Sequence, residues 1–112
     1  MVTRPRRLVS TGSILVDLVL DLAELPDRGG DVLARQVLMA AGGGMNVLAA
    51  ASRLGLPSVY AGPHGTGPFG DRVRATLADA SVPFLLPAAP TPDTGYCITL
   101  VDAGGERTFV TV

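Results

Sequence analysis

Three consecutive glycines, Gly42-Gly43-Gly44, stand between an apolar stretch and a run of helix-forming residues, and they constrain the local fold more than any other feature. Glycine has no side chain, so these positions accept backbone angles closed to other residues, and their N–H groups can lie directly against a ligand. Residues 47–54 are rich in helix formers, and Gly55 stands where a left-handed C-terminal cap belongs. The pattern predicts a glycine loop that opens into a helix over residues 47–54.

A glycine loop at the start of a helix favours certain ligands. The first turn of a helix collects unpaired N–H donors and the positive end of the helix dipole, which suit anions or hydroxyl-rich molecules. Asn46 adds a side chain that both donates and accepts hydrogen bonds, as a sugar hydroxyl does. Glycine loops also precede helices for structural reasons alone, so the rest of the chain must decide between these interpretations.

Composition and charge narrow the class of protein. With 112 residues and 47% hydrophobic residues, the chain can bury one small core and is predicted to form a single domain. The net charge of −1 provides no general attraction to nucleic acid or to anionic membranes. Cys97 is the single cysteine, so no intrachain disulfide can form, which fits a reducing compartment.

The apolar stretch over residues 8–22 could suggest a targeting or membrane segment. Asp17 and Asp21 interrupt it, and a membrane span needs about 20 mainly apolar residues. We therefore interpret it as a buried strand and expect a cytoplasmic protein without a membrane partner.

Strand and helix patterns alternate along the middle of the chain. This order predicts an α/β fold in which a parallel sheet is flanked by helices, with hairpins attached at both ends. Asp71 is the predicted N-cap of the second helix. The predicted strands are 8–16, 18–23, 31–39, 58–61 and 82–86, the predicted helices are 47–54 and 71–80, and a hairpin joins 95–101 to 106–112.

Two polar residues stand out as candidates for chemistry. Ser13, Leu15 and Asp17 lie two apart along the first predicted strand and so share a face, and Asp17 stands at its end, where α/β proteins bind ligands. A carboxylate there can accept hydrogen bonds from two hydroxyl groups, although it could equally cap a turn or face solvent. His64 is the only histidine and lies in a Gly/Pro-rich loop; we expect a surface residue rather than a catalytic one.

Several motifs in order carry a family resemblance. They are the strand Gly12-Ser13-Ile14-Leu15-Val16-Asp17, Leu25-Pro26 with Gly30-Asp31, the glycine run with Asn46, the spaced Gly55 and Gly65, Phe69-Gly70, and Thr94-Gly95. Together they resemble the ribokinase-like (PfkB) carbohydrate kinases. The resemblance covers the chain from Leu8 onward, and several motifs in the right order are far more specific than the glycine run alone.

This resemblance implies ATP- and Mg²⁺-dependent phosphorylation of a sugar or nucleoside hydroxyl. Asp17, Gly42, Gly43 and Asn46 would contact the substrate. Residues 1–112 would form the N-terminal substrate-binding and lid portion of an incomplete kinase domain. The lid would be a β-sheet formed by 18–23, 31–39 and part of the 95–112 hairpin, through which a homodimer could form. The catalytic base and the residues that bind ATP and Mg²⁺ would lie beyond Val112.

The chain also departs from the family pattern. Leu15 stands where ribokinases carry an asparagine, which argues against ribose as the substrate, and Gly67 stands where relatives often carry an aspartate. Two other functions stay open. One is a sugar-binding or dimerisation module without catalysis. The other is a Rossmann-type nucleotide-binding fragment, which is less favoured because Gly42-Gly43-Gly44 is not a Gly-x-Gly-x-x-Gly run after a first strand.

Overall fold

The computed structural model describes residues 3–112 as two β-sheets and two helices. The first sheet is a parallel pair, β1 and β4, and the second has four strands in the order β3-β2-β5-β6. None of the helices in residues 3–112 is long and apolar enough to span a bilayer. The elements are β1 Leu8–Ser10, β2 Val16–Asp21, β3 Gln36–Ala41, α1 Gly44–Arg53, β4 Ser58–Tyr60, α2 Pro68–Asp79, β5 Tyr96–Val101 and β6 Arg107–Thr111.

The predicted single strand over 8–16 is wrong. The chain leaves the first sheet after Ser10 and enters the second sheet only at Val16. Between the sheets, the Ile14 N–H donates to the Tyr60 hydroxyl at 3.2 Å, a partner that no local sequence pattern reveals. Asp17 therefore lies near the start of a strand rather than at the end of one, and Ser13 and Leu15 lie outside any strand.

The four-stranded sheet is formed by the segments that the resemblance assigned to a lid, and we call it the lid sheet; that it closes over a substrate stays a prediction. Strand β2 pairs antiparallel with β3 and parallel with β5, and β5 pairs antiparallel with β6. The predicted C-terminal hairpin is confirmed: the Asp102 carboxylate accepts hydrogen bonds from the N–H groups of Gly104 and Glu106 in its turn. The returning strand exists but begins later than predicted, because pairing with β2 starts only where the Arg35 N–H donates to the Asp21 carbonyl at 2.7 Å.

Both helices begin earlier than the sequence suggested. Helix α1 starts inside the glycine run, and Gly55 follows it with φ +83°, which confirms the left-handed cap. Helix α2 starts at Pro68, whose missing N–H costs nothing in a first turn, so the prediction of Asp71 as N-cap is wrong. The predicted strand over 82–86 is reduced to a single parallel bridge between Phe84 and Tyr60.

The hydrophobic core lies between the helices and the strands of both sheets. Its centre is Tyr60, whose side chain is fully buried and whose hydroxyl donates to the Pro63 carbonyl at 2.7 Å while accepting from Ile14. Burial raises the pKa of the Tyr60 phenol, and the hydrogen bond from Ile14 offsets only part of that rise. The buried core residues are Ile14, Val16, Met45, Leu48, Tyr60, Val73, Leu77 and Val82.

We expect the substitution Tyr60→Phe to lower the free energy of unfolding by about 1–3 kcal/mol, because it leaves the buried Ile14 N–H without its acceptor. Chemical denaturation followed by circular dichroism measures the change. Tyr96→Phe is the control, since Tyr96 is only half-buried. Equal stability of the Tyr60→Phe variant and the parent chain would contradict this account of how the crossing between the sheets is held.

Candidate functional site

The glycine run lies directly against the segment that leads to Asp17. Antiparallel pairing of β2 with β3 sets Asp17 opposite Ala40. The same pairing continues past the strand ends, because the Gly42 N–H donates to the Leu15 carbonyl at 2.8 Å and the Gly44 N–H donates to the Ser13 carbonyl at 3.2 Å. The lid sheet thus brings the start of β2 and the start of α1 to one place.

The Asp17 carboxylate lies over Gly42. A Cβ atom at position 42 would overlap Asp17 Oδ2 and would lie 3.0 Å from Asp17 Cγ, so a side chain there would require the Asp17 carboxylate to move from this position. Gly43 follows with φ +59°, a left-handed angle that favours glycine and turns the chain into α1. Asp17 is half-buried, so its carboxylate remains accessible to a ligand.

Asn46 is less closely associated with this pair. It lies in the first turn of α1 with its side chain exposed, and its backbone N–H donates to the Gly43 carbonyl at 3.2 Å. Asn46 lines a cavity of about 430 Å³ whose opposite wall comes from the end of α2, including Asp79, and from Ser81 in the segment that follows it. The structure therefore brings Asp17 and Gly42 together, whereas joint contact of Asp17 and Asn46 with one ligand stays a prediction.

The expectation that His64 is a surface residue is wrong, because its side chain is buried with a relative exposure of 2%. Arg74 donates to His64 Nδ1 at 3.0 Å, so that nitrogen must accept, and His64 Nε2 then donates to the Leu86 carbonyl at 2.8 Å. These partners assign a neutral Nε2–H tautomer with both ring nitrogens bonded. These hydrogen bonds hold the buried His64 side chain in place, so we interpret His64 as a structural residue of the loop.

Asp93 is the polar residue that the sequence analysis missed. Its Oδ1 accepts from the N–H groups of Gly67 and Gly70 at 3.0 Å each, and its Oδ2 accepts from the Phe69 N–H at 2.9 Å. These donors form the N-terminus of α2, which has no side-chain cap of its own. Asp93 thus caps the helix from 23 to 26 residues further along the chain, where no local motif indicates it.

The loop that receives Asp93 carries a recognisable pattern. Gly65, Gly67 and Gly70 give the spacing Gly-x-Gly-x-x-Gly from the loop after β4 into the first turn of α2, a spacing that elsewhere lets a phosphate approach a helix N-terminus. A Cβ atom at Gly65 or at Gly67 would overlap the carboxylate of Asp93. Here the protein's own carboxylate occupies the space and the donors that such a phosphate would use.

The charge of Asp93 suits this position. Burial raises the pKa of Asp93, but the N–H groups of Thr94, Phe69, Gly70 and Gly67 together outweigh that effect, so its pKa lies below the ordinary value. A carboxylate with a lowered pKa stabilises the fold in full above its unfolded pKa. That contribution is lost as the pH falls through the pKa of the folded state. Asp93 is therefore ionised at neutral pH, when it complements the positive end of the α2 dipole.

Two common signatures of metal and phosphate binding are absent from residues 3–112. No group of three or more His, Cys, Asp or Glu side chains in residues 3–112 is placed to hold a metal ion. The sequence also lacks the pattern Gly-x-x-x-x-Gly-Lys-[Ser/Thr] that cradles phosphates.

Known proteins are similar to this chain in sequence and in fold. The chain is 32% identical over 109 residues to the uncharacterized sugar kinase YegV of Escherichia coli (strain K12), a match that covers 96% of this chain and 34% of that protein. The ribokinase of Cryptococcus neoformans var. grubii serotype A, in complex with ADP, matches 98% of this chain and 34% of its own, with 25% identity and a TM-score of 0.83. The ribokinase of Arabidopsis thaliana, complexed with ribose and ATP, matches 97% of this chain and 36% of its own, with 24% identity and a TM-score of 0.77.

The extent of these matches decides the family. The chain spans about a third of the length of these relatives. Almost all of its residues are covered by the matches. Residues 5–112 match the pfkB family carbohydrate kinases, a span that includes the lid strands, the glycine run and the loop that Asp93 caps. The agreement therefore does not depend on the glycine run alone. The chain belongs to the pfkB family of carbohydrate kinases.

Proposed function

We propose that this chain supplies the substrate-binding and lid part of a kinase that transfers a phosphoryl group from ATP to a hydroxyl of a sugar or nucleoside. Asp17 and Asn46 would bind substrate hydroxyls through their side chains, and Gly42 and Gly43 would contact the substrate through their backbones. The observation that carries the proposal is the Asp17 carboxylate lying over Gly42, at the junction of the lid sheet and α1.

The chemistry of phosphoryl transfer gives the lid a purpose. A sheet that closes over the bound sugar excludes water, which would otherwise accept the phosphoryl group in place of the hydroxyl. A carboxylate beside the substrate orients a hydroxyl by accepting a hydrogen bond from it. Charged acceptors form the stronger hydrogen bonds. ATP, Mg²⁺ and the base that activates the hydroxyl belong to the proposal through the family and would require residues outside this chain.

Leu15 bears on the choice of substrate. Its half-buried apolar side chain stands where the resemblance to ribokinases calls for an asparagine, and it contributes no hydrogen bond to a hydroxyl. We therefore expect ribose to be a poor substrate compared with a sugar or nucleoside that places an apolar edge at this position. The lone cysteine, Cys97, fits the proposed cytoplasmic location.

The edges of the lid sheet support a homodimer as part of the proposal. Both edge strands, β3 and β6, carry exposed apolar side chains, among them Val37 at 62% and Phe109 at 58% relative exposure. Exposed apolar edge strands favour association with a second sheet. Size-exclusion chromatography with light scattering measures whether the protein is dimeric, and a monomer at micromolar concentration would remove the dimer from the proposal.

The function is tested with the product of the complete reading frame that encodes this chain. We expect ADP release from ATP to depend on one sugar or nucleoside in a panel that includes ribose, because transfer requires a bound hydroxyl. Purified residues 1–112, assayed in parallel, should release no ADP, since by the family resemblance the catalytic base and the residues that bind ATP and Mg²⁺ lie outside this chain. ADP release that is independent of every sugar, or activity of residues 1–112 alone, would contradict the assignment of roles.

A further inference from the structure

We propose that Asp93 is a positioning residue, which fastens the connector before lid strand β5 to the N-terminus of α2 and thereby holds Asp17 in place for substrate binding. The proposal rests on the proposed function, because it concerns the same substrate site. It assigns to this carboxylate a main part of the link between α2 and the lid sheet. The observations that lead to it are the contacts on either side of Asp93.

On the helix side, Asp93 is bound more firmly than an ordinary cap. Three N–H groups of the α2 N-terminus donate to its two carboxylate oxygens, at 2.9 to 3.0 Å. The next residue adds a fourth bond, since the Thr94 hydroxyl accepts from the Gly65 N–H at 3.0 Å. These bonds fix two successive residues of the connector against the Gly65–Gly70 loop.

On the lid side, the same two residues lead directly into the sheet. The Gly95 carbonyl accepts from the Val16 N–H at 3.1 Å, and the parallel register then sets Asp17 beside Cys97. The Phe69 ring of α2 packs on the Tyr96 ring with centroids 4.7 Å apart. The contacts of Asp93 and Gly95 therefore relate the position of β2 to that of α2. Asp17 is the second residue of β2.

A capping role and a fastening role can be separated by moving the carboxylate. Gly67 is the N-cap of α2 and has the extended backbone (φ −82°, ψ −173°) that a capping aspartate adopts. In the double variant Gly67→Asp/Asp93→Ala, the new side chain takes the space left by the Asp93 carboxylate, and its Cβ lies 3.1 Å from the Cβ that position 93 keeps. The helix regains an acceptor for its N–H groups, but that acceptor no longer belongs to the connector. Asp93→Ala alone loses both the cap and the fastening.

The experiment compares the parent, Asp93→Ala and Gly67→Asp/Asp93→Ala in the product of the complete reading frame. The measurements are thermal stability, the KM values for the sugar and for ATP, and NMR amide exchange at Phe69 and Val16. Phe69 N–H reports on the helix cap, and Val16 N–H reports on the connector because it is bonded to Gly95. We expect Asp93→Ala to lose thermal stability, to exchange faster at both amides and to raise the sugar KM roughly 10-fold or more, with the ATP KM little changed.

The double variant distinguishes the capping role of Asp93 from the fastening role. We expect it to recover thermal stability and slow exchange at Phe69, while Val16 exchange stays fast and the sugar KM stays high. Recovery of Val16 exchange and of the sugar KM would show that Asp93 only caps α2, and unchanged Val16 exchange in Asp93→Ala would equally overturn the proposal. A parent without sugar-dependent ADP release would contradict the proposed function instead, and the exchange data would still decide whether Asp93 fastens the connector.

Discussion

Asp17→Ala is expected to lower kcat/KM for the sugar by roughly 10- to 150-fold in the product of the complete reading frame, with the KM for ATP little changed. The magnitude follows from losing one charged hydrogen bond to a hydroxyl, which contributes about 1.5–3 kcal/mol. The selectivity for the sugar follows from the position of Asp17 beside the glycine loop, where the carboxylate would meet the substrate rather than the nucleotide. Steady-state kinetics with both substrates varied give the two constants.

Asp21→Ala is the matched control for this prediction. Asp21 is on the same strand and the same face as Asp17, but its carboxylate pairs with Arg35 at 3.0 Å at the far end of β2. An exposed ion pair of this kind contributes little to stability, so the control should keep near-parental kinetics. Equal losses for the sugar and for ATP in Asp17→Ala, or an equal loss in Asp21→Ala, would exclude the substrate-binding role of Asp17.

Gly42→Ala is expected to damage sugar use about as severely as Asp17→Ala, although it adds only a methyl group. The added Cβ overlaps Asp17 Oδ2, so the carboxylate or the glycine loop must move. A displacement of about 1 Å at a binding group can cost up to about 100-fold in rate. The effect should appear in kcat/KM for the sugar, measured beside Gly12→Ala, whose added Cβ would lie 4.0 Å from its nearest neighbour, Ser10 Oγ.

A double-mutant cycle tests whether the two residues act as one unit. If Gly42→Ala acts by displacing the Asp17 carboxylate, the variant Gly42→Ala/Asp17→Ala should be little worse than either single variant, because the group to be displaced is already gone. Additive losses would show that Gly42 contributes separately, for example by contacting the substrate through its own backbone. A fully active Gly42→Ala variant would contradict the close approach that the structure shows.

Much of the local structure could be predicted from the sequence, because its causes are local. Gly55 at the end of α1 and the hairpin of β5 and β6 follow from backbone freedom and strand propensity within a few residues. The glycine run marked the start of a helix, and the ordered motifs marked the carbohydrate kinase family. The candidate residues Asp17 and Gly42 were also identified from sequence, and the structure places them together.

Errors appeared wherever long-range partners decide the outcome. The apolar run through residues 8–16 looks like one strand because periodicity records burial and does not record which sheet buries each part. Its split depends on Tyr60, and the burial of His64 depends on Arg74 and on the Leu86 carbonyl. None of these partners lies within the local window in which patterns are read.

The sequence by itself determined the family, the glycine loop that opens α1 and the residue types available to bind a hydroxyl. The tertiary structure alone decided that Asp17 stands at the start of a lid strand, and that Asp93 rather than Asp71 caps α2. The physical reason is the same in both cases. A hydrogen bond between residues far apart in the chain is formed only after the sheets and helices have packed, so its partners cannot be identified from either neighbourhood alone.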